Sequence, residues 1–210
     1  VVIKKLKCIG LGESTLAQML GDLMDRNRNP LINCTVSLGI ITVHIIANAE
    51  NHNKAEEVAL KDLNVLKQKL GNLVFGYDDQ SIQEAVAAKL TEKRLSLSLA
   101  ESCTGGLKAK MITDVPGSSS FFKQGWVTYS NESKVQQLGV CAEKINKYGA
   151  VSEQVAEEMA NGARKASGSD ISLSVTGIAG PGGGTEQKPV GTVYICLNFQ
   201  GNVSAKKINI

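Results

Sequence analysis

The sequence predicts an α/β protein assembled from two units. Three observations carry this. Apolar residues switch along the chain between alternation and a helical period of about 3.6. Residues 71–79 interrupt the pattern with glycines, an aromatic pair and two aspartates. After that interruption, strand-like and helix-like segments follow one another in the way that builds a central sheet covered by helices.

The first unit reads as strand, helix, strand, strand, helix. Residues 1–8 alternate and are β-rich. Gly12, Glu13 and Ser14 open a helix in which Leu16, Met19, Leu20 and Leu23 fall at helical spacing, and residues 27–30 stop it. Residues 33–37 and 40–47 are rich in Val, Ile and Thr with Gly39 between them, the pattern of a hairpin. Residues 54–70 form a long amphipathic helix with Val58, Leu63, Leu66 and Leu70 on one side. Residues 71–79 read as a linker.

The second unit begins at Ser81, which with Glu84 forms a capping pattern ahead of Val86 and Leu90. Strands are expected near 95–99, 125–130, 171–175 and 190–199, and helices near 104–112, 132–138 and 152–166. Binding loops in such folds gather at strand ends.

Bulk properties narrow the function classes. The 210 residues are 42% hydrophobic and 20% charged, which suits a globular protein of one or two domains. Residues 1–80 carry 9 Lys+Arg and 9 Asp+Glu, and residues 81–210 carry 14 and 11, so the second unit holds the whole net charge of +3. No basic patch is dense enough to indicate a nucleic-acid partner. Cys8, Cys34, Cys103, Cys141 and Cys196 are odd in number, widely spaced and form no CxxC pair, which argues against a zinc site or disulfide framework and for a reducing cytoplasm. No apolar run reaches the ~18–20 residues of a membrane span, and no signal peptide pattern is present. The chain opens inside a strand pattern without Met and closes on strand-like Ile208, Asn209 and Ile210, as a piece of a longer protein does.

Three segments carry candidate chemistry. In Ala100-Glu101-Ser102-Cys103-Thr104-Gly105-Gly106, a hydroxyl and a thiol stand beside a Gly-Gly pair at a strand-to-helix junction, where free N–H groups and nucleophiles gather. Strand alternation lets only one of Ser102 and Cys103 face a site easily, and the residues alone do not choose. A capping Ser or Thr on an ordinary helix is the bland alternative. Glu101 is either an orienting group or compensation of the helix dipole. The only histidines, His44 and His52, lie in the first unit, so a nucleophile in the second needs another base, and lysine is the usual substitute. In Tyr129-Ser130-Asn131-Glu132-Ser133-Lys134, Asn131 reads as an N-cap and Lys134 falls in the first helical turn, whose field lowers an ammonium pKa. A core tyrosine and a solvated lysine fit the same spacing. Thr176-Gly177-Ile178-Ala179-Gly180-Pro181-Gly182-Gly183-Gly184-Thr185 follows an apolar strand and is either a ligand-cradling loop or a mobile surface loop. It is neither a Walker A loop nor GxGxxG.

Taken together with Gly149-Ala150-Val151-Ser152 and Lys188-Pro189-Val190-Gly191-Thr192-Val193, these motifs closely resemble, in order and spacing, the C-terminal domain of the CinA family (competence/damage-inducible protein A). Leu6-Lys7-Cys8-Ile9-Gly10-Leu11-Gly12-Glu13-Ser14 resembles, more weakly, the family's KH-like middle domain, without the nucleic-acid-binding GxxG loop. The resemblance implies a small KH-like α+β domain over 1–76 and a three-layer α/β/α deamidase domain over 77–210. It implies hydrolysis of the nicotinamide mononucleotide carboxamide to nicotinate mononucleotide and ammonia, in pyridine nucleotide recycling. The family's catalytic serine, tyrosine and lysine fall on Ser102, Tyr129 and Lys134, which favours Ser102 over Cys103. Thr104, Gly105 and Gly106 are expected to hold the oxyanion. Thr176, Gly177, Gly180, Gly182, Gly183, Gly184 and Thr185 are expected to wrap the ribose phosphate. The chemistry calls for no metal or cofactor, and the implied partners are the small-molecule substrate and a second copy in a homodimer. The family's N-terminal pyrophosphatase-like domain and its final helix have no counterpart in these residues. A catalytically silent scaffold in a competence or DNA-damage response is the competing expectation.

Overall fold

Seven β-branched or apolar residues in the first strand pair, Ile3, Val43, Thr42, Ile41, Ile45, Ile46 and Val2, set up a sheet whose two faces differ. The computed structural model describes residues 1–210. Strand β1 (Val2–Cys8) pairs antiparallel with β3 (Ile40–Ala47), and β3 pairs with β2 (Leu31–Ser37) through a turn in which Leu38 and Gly39 both take positive φ. That is the backbone twist a two-residue hairpin needs. Helices α1 (Glu13–Leu20) and α2 (His52–Leu70) cover one face, and Leu6, Leu16, Leu20, Ile32, Val43, Ile45, Ala59 and Leu66 form the core between. Asn51 caps α2 by accepting the Lys54 amide. Asp62 is buried on α2 and pairs with Arg28 at 2.8 Å.

The linker expectation for 71–79 is overturned. Val74–Tyr77 forms β4, which pairs antiparallel with β1 and closes a four-stranded sheet of order β2-β3-β1-β4. A four-residue edge strand with Gly76 inside has too few side chains to show a period. The capping pattern is present as read: Ser81 N–H and Oγ–H both donate to Glu84 at 2.7 Å ahead of α3 (Ile82–Lys93). Backbone contacts divide the chain into two compact units, Val1–Ala85 and Val86–Ile210.

The second unit is a five-stranded sheet of order β6-β5-β7-β8-β9. Strands β5 (Leu97–Glu101), β6 (Phe122–Val127) and β7 (Ile171–Gly177) run parallel, and β8 (Thr192–Phe199) and β9 (Asn202–Asn209) continue it antiparallel. Leu97 and Leu99 face one side, against Ala87 and Leu90 of α3, Ile112 of α4 (Leu107–Thr113) and Phe121. Ala100 faces the other, against Leu138 of α5 (Asn131–Leu138), Ile145 of α6 (Ala142–Tyr148), and Val155 and Met159 of α7 (Glu153–Ser167). Helices on both faces make the three layers expected. Helix α6 was not foreseen, because only Ile145 of its seven residues is buried.

Helix α7 packs on the sheet through small residues. Ala156, Ala160 and Cys196 meet without a large side chain between them. Ser172 Oγ donates to the Ala160 carbonyl at 2.6 Å and Ser174 Oγ to the Ala156 carbonyl at 2.5 Å. Small residues permit that approach, and each buried hydroxyl has an acceptor, without which its burial would cost about 1–3 kcal/mol. No helix of the chain is long and apolar enough to cross a membrane.

Candidate active site

The site is built where β5 ends. Leu97, Leu99 and Glu101 share one face of the strand, and Ser98, Ala100 and Ser102 the other. Glu101 is only 1% exposed, and its carboxylate accepts the amides of Gly106 (3.2 Å), Lys108 (3.0 Å) and Ala109 (2.7 Å) at the start of α4. These are the donors a helix N-terminus leaves unpaired, and an anion there also meets the positive end of the helix dipole. The helix therefore carries its own anion, which fixes the turn from Ser102 to Gly106.

Ser102 faces the layer of α5. The Ser102 N–H donates to the Val175 carbonyl at 3.0 Å and the Thr128 N–H to the Glu101 carbonyl at 2.8 Å, so the strand end is held from both sides. Helix α5 starts immediately beyond β6. Its N-cap is Ser130, whose Oγ accepts the Ser133 amide, rather than Asn131 as read from the sequence. A cap one residue earlier puts Lys134 at the fourth helical position, facing inward.

Lys134 is 1% exposed and Ser102 is 8% exposed. Lys134 Nζ lies 3.0 Å from Ser102 Oγ, 2.7 Å from the Thr128 carbonyl and 3.3 Å from the Tyr129 carbonyl. No carboxylate pairs with it. Burial pushes the Lys134 pKa down, while Cys103 and Glu132 pull it back up more weakly. Desolvation is the largest cause of this lowering, in the same direction as the helix-start field expected from the sequence. Lys134 Nζ donates to the Thr128 and Tyr129 carbonyls and to Ser102 Oγ; as a neutral amine it would instead present a lone pair to the Ser102 hydroxyl.

The other expected residues are placed as follows. Tyr129 is 74% exposed; its carbonyl touches Lys134, but its phenol hydrogen-bonds neither Lys134 nor Ser102. Cys103 Sγ lies against β7, where a Cβ on Gly177 would stand 3.0 Å from it, and burial pushes its thiol pKa up. Gly105 N–H is bonded to the Ser102 carbonyl and Gly106 N–H to Glu101, so neither is available to an acyl oxygen as expected. The Thr104 Oγ1 is buried without a partner. Thr176 is buried, and its hydroxyl donates to the Ala150 carbonyl at 2.9 Å.

In the glycine loop, close packing explains three positions. A Cβ on Gly177 would lie 2.8 Å from Val193 Cγ2, one on Gly180 2.6 Å from Val190 Cγ1, and one on Gly184 2.8 Å from the Val190 nitrogen. Gly182 and Gly183 are exposed. Thr185 is engaged with Lys188, accepting its amide on Oγ1 at 3.1 Å and donating its own amide to the Lys188 carbonyl at 2.8 Å. Sequence reasoning missed Lys188. Its Nζ donates to the Tyr148 carbonyl at 2.6 Å and the Val151 carbonyl at 2.7 Å. Nothing in its local sequence separates it from a solvated loop lysine. No cluster of three or more His, Cys, Asp or Glu side chains is placed to hold a metal ion.

Two family models match the chain: the CinA C-terminal domain over residues 79–210 and the damage-inducible protein CinA KH domain over residues 3–76. A CinA-like protein of Kosmotoga olearia is 42% identical over 207 residues, 99% of this chain and 50% of that protein. The chain spans about half the length of the curated relatives it matches. Among solved structures, the competence/damage inducible protein of Agrobacterium tumefaciens is 43% identical, with a TM-score of 0.59 over 60% of this chain and 78% of that one. A CinA superfamily protein of Escherichia coli is 34% identical, with a TM-score of 0.59 over 61% of this chain and 74% of that one.

Proposed function

Because the chain belongs to the CinA family, we propose that its second unit hydrolyses the carboxamide of nicotinamide mononucleotide, using Ser102 as nucleophile and Lys134 as base. The observation that carries this reading is the 3.0 Å approach of Lys134 Nζ to Ser102 Oγ, in a buried setting that lowers the lysine pKa and forms no salt bridge to a carboxylate. A structural lysine would keep its charge in water or pair it with a carboxylate.

Ser102 Oγ attacks the amide carbon as its proton passes to the neutral Lys134 amine. The carbonyl oxygen takes the negative charge. The Cys103 and Thr104 amides have no backbone acceptor, and they are the donors left to meet that oxygen; one such donor is typically worth roughly 3–4 kcal/mol. The carbon–nitrogen bond then breaks, and the Lys134 ammonium returns its proton to the leaving ammonia. Water attacks the resulting ester on Ser102, gives its proton to Lys134, and nicotinate mononucleotide leaves as Ser102 regains the proton. The Tyr129 phenol stands on the rim of the site, so in this reading the proton passes directly between Ser102 and Lys134.

The test is ammonia release from nicotinamide mononucleotide by the purified chain, with nicotinamide riboside and nicotinamide as comparison substrates. Release from the mononucleotide that Ser102→Ala abolishes is the expected result. No release from any of the three would leave the chain as a scaffold.

A further inference from the structure

From the placement of Lys188 we infer that its ammonium holds the anionic phosphate end of the substrate. This rests on the deamidase reading for the identity of the ligand. In the parallel pairing of β5 with β7, Glu101 lies opposite Val175. Ser102 and Thr176 follow as neighbours on the α7 face, on strands about 4.8 Å apart. Thr176 Oγ1 grips the Ala150 carbonyl. The segment 148–151 therefore runs beside the end of β7, on the face that Thr176 shares with Ser102. Lys188 grips the carbonyls on either side of Ala150, those of Tyr148 and Val151. Gly149, at φ +80°, lies close to the ammonium: an added Cβ there would stand 3.6 Å from Nζ.

An ammonium has three donors. Two are committed to carbonyls, and no carboxylate pairs with the charge. A fixed, half-buried cation with one donor left is what a phosphate oxygen needs. In the loop, the Thr176 hydroxyl bonds the Ala150 carbonyl and Thr185 Oγ1 accepts the Lys188 amide, and Lys188 is the only cation of residues 176–188. The other cation near the site is Lys108, whose charge acts on Cys103 beside the nucleophile. It lies at the reacting end, whereas the phosphate of the mononucleotide is at the far end from the carboxamide.

The experiment measures binding and not turnover. Nicotinamide mononucleotide and nicotinamide riboside are titrated by calorimetry into the full chain carrying Ser102→Ala, with Lys188 intact, as Lys188→Gln, and as Lys188→Arg. With Lys188 intact, the mononucleotide should bind at least about tenfold more tightly than the riboside, the effect of one charge-assisted contact. Lys188→Gln should remove that ratio while leaving riboside affinity within about twofold, and Lys188→Arg should retain most of it. Equal loss for both ligands would mean that Lys188 only ties loops together. An unchanged ratio, or a ratio lost in Lys108→Gln instead, overturns the inference. So does the absence of any preference for the phosphorylated ligand with Lys188 intact. Tight, Lys188-dependent binding without ammonia release from the unsubstituted chain would sink the deamidase reading alone.

Discussion

Gly162 of α7 packs directly on the Leu138 carbonyl of α5. A Cβ added at Gly162 would overlap that oxygen and stand 2.8 Å from the Leu138 carbonyl carbon and 3.0 Å from its Cα. The obstacle is backbone, so no side chain can move aside. Because α5 also carries Lys134, this contact sets the distance from the base to the sheet. Gly162→Ala should destabilise the chain by about 2–3 kcal/mol, even though alanine is the better helix former. A urea midpoint equal to that of the parent would show that α5 is free to shift.

Gly177→Ala acts nearer the chemistry. Its Cβ would crowd Val193 Cγ2, the Thr192 carbonyl and Cys103 Sγ. Displacing Cys103 moves its neighbour Ser102. Ammonia release should fall by as much as about a hundredfold, with a smaller loss in the urea midpoint. Parent-like turnover would show that the turn is anchored elsewhere.

Glu101→Gln keeps the shape of the side chain but replaces one acceptor oxygen with a donor that faces backbone N–H groups. The three amides now held by the carboxylate cannot all stay paired. A loss of about 2–3 kcal/mol is expected from leaving buried donors unsatisfied. Chemical denaturation at pH 7 measures it, and a change below about 0.5 kcal/mol would contradict the anchoring role.

Lys134 links stability to pH with a definite sign. Burial lowers its pKa in the folded chain, while in the unfolded chain it titrates near about 10.4. Between the two values the unfolded chain binds the extra proton. This residue therefore adds a slope of up to about 1.4 kcal/mol per pH unit, with stability rising toward the unfolded pKa and falling as pH drops through the folded one. Lys134→Met should flatten that slope across the window below 10.4. An identical pH profile in parent and variant would mean that the amine stays charged in the fold.

Much of this was legible from the chain alone, and the exceptions have physical causes. The Ser81 and Glu84 cap, the β2–β3 hairpin and the long α2 follow from short-range rules that the structure obeys. Strand β4 and helix α6 escaped because four and seven residues with few buried positions show no period. Alternation limited the choice at Ser102 and Cys103 without making it. The choice depends on which face α5 covers, and that is set by the β5–β6 pairing more than twenty residues away, with Glu101 opposite Val127. Lys134 looked like a surface lysine because its burial comes from the Thr128 and Tyr129 carbonyls and the Ser102 hydroxyl, none of which sequence spacing can place. Ser172, Ser174 and Thr176 are buried hydroxyls, and their acceptors lie on α7 and on the segment before it.

The central claim is that the buried Lys134 amine makes the Ser102 hydroxyl reactive toward a carboxamide. The most direct measurement is ammonia release from nicotinamide mononucleotide by the parent chain, Ser102→Ala and Lys134→Met, each checked for a parent-like circular dichroism spectrum. Release by the parent and a loss of at least about a thousandfold in both variants is the expected outcome. Folded variants that release ammonia at the parent rate would contradict it.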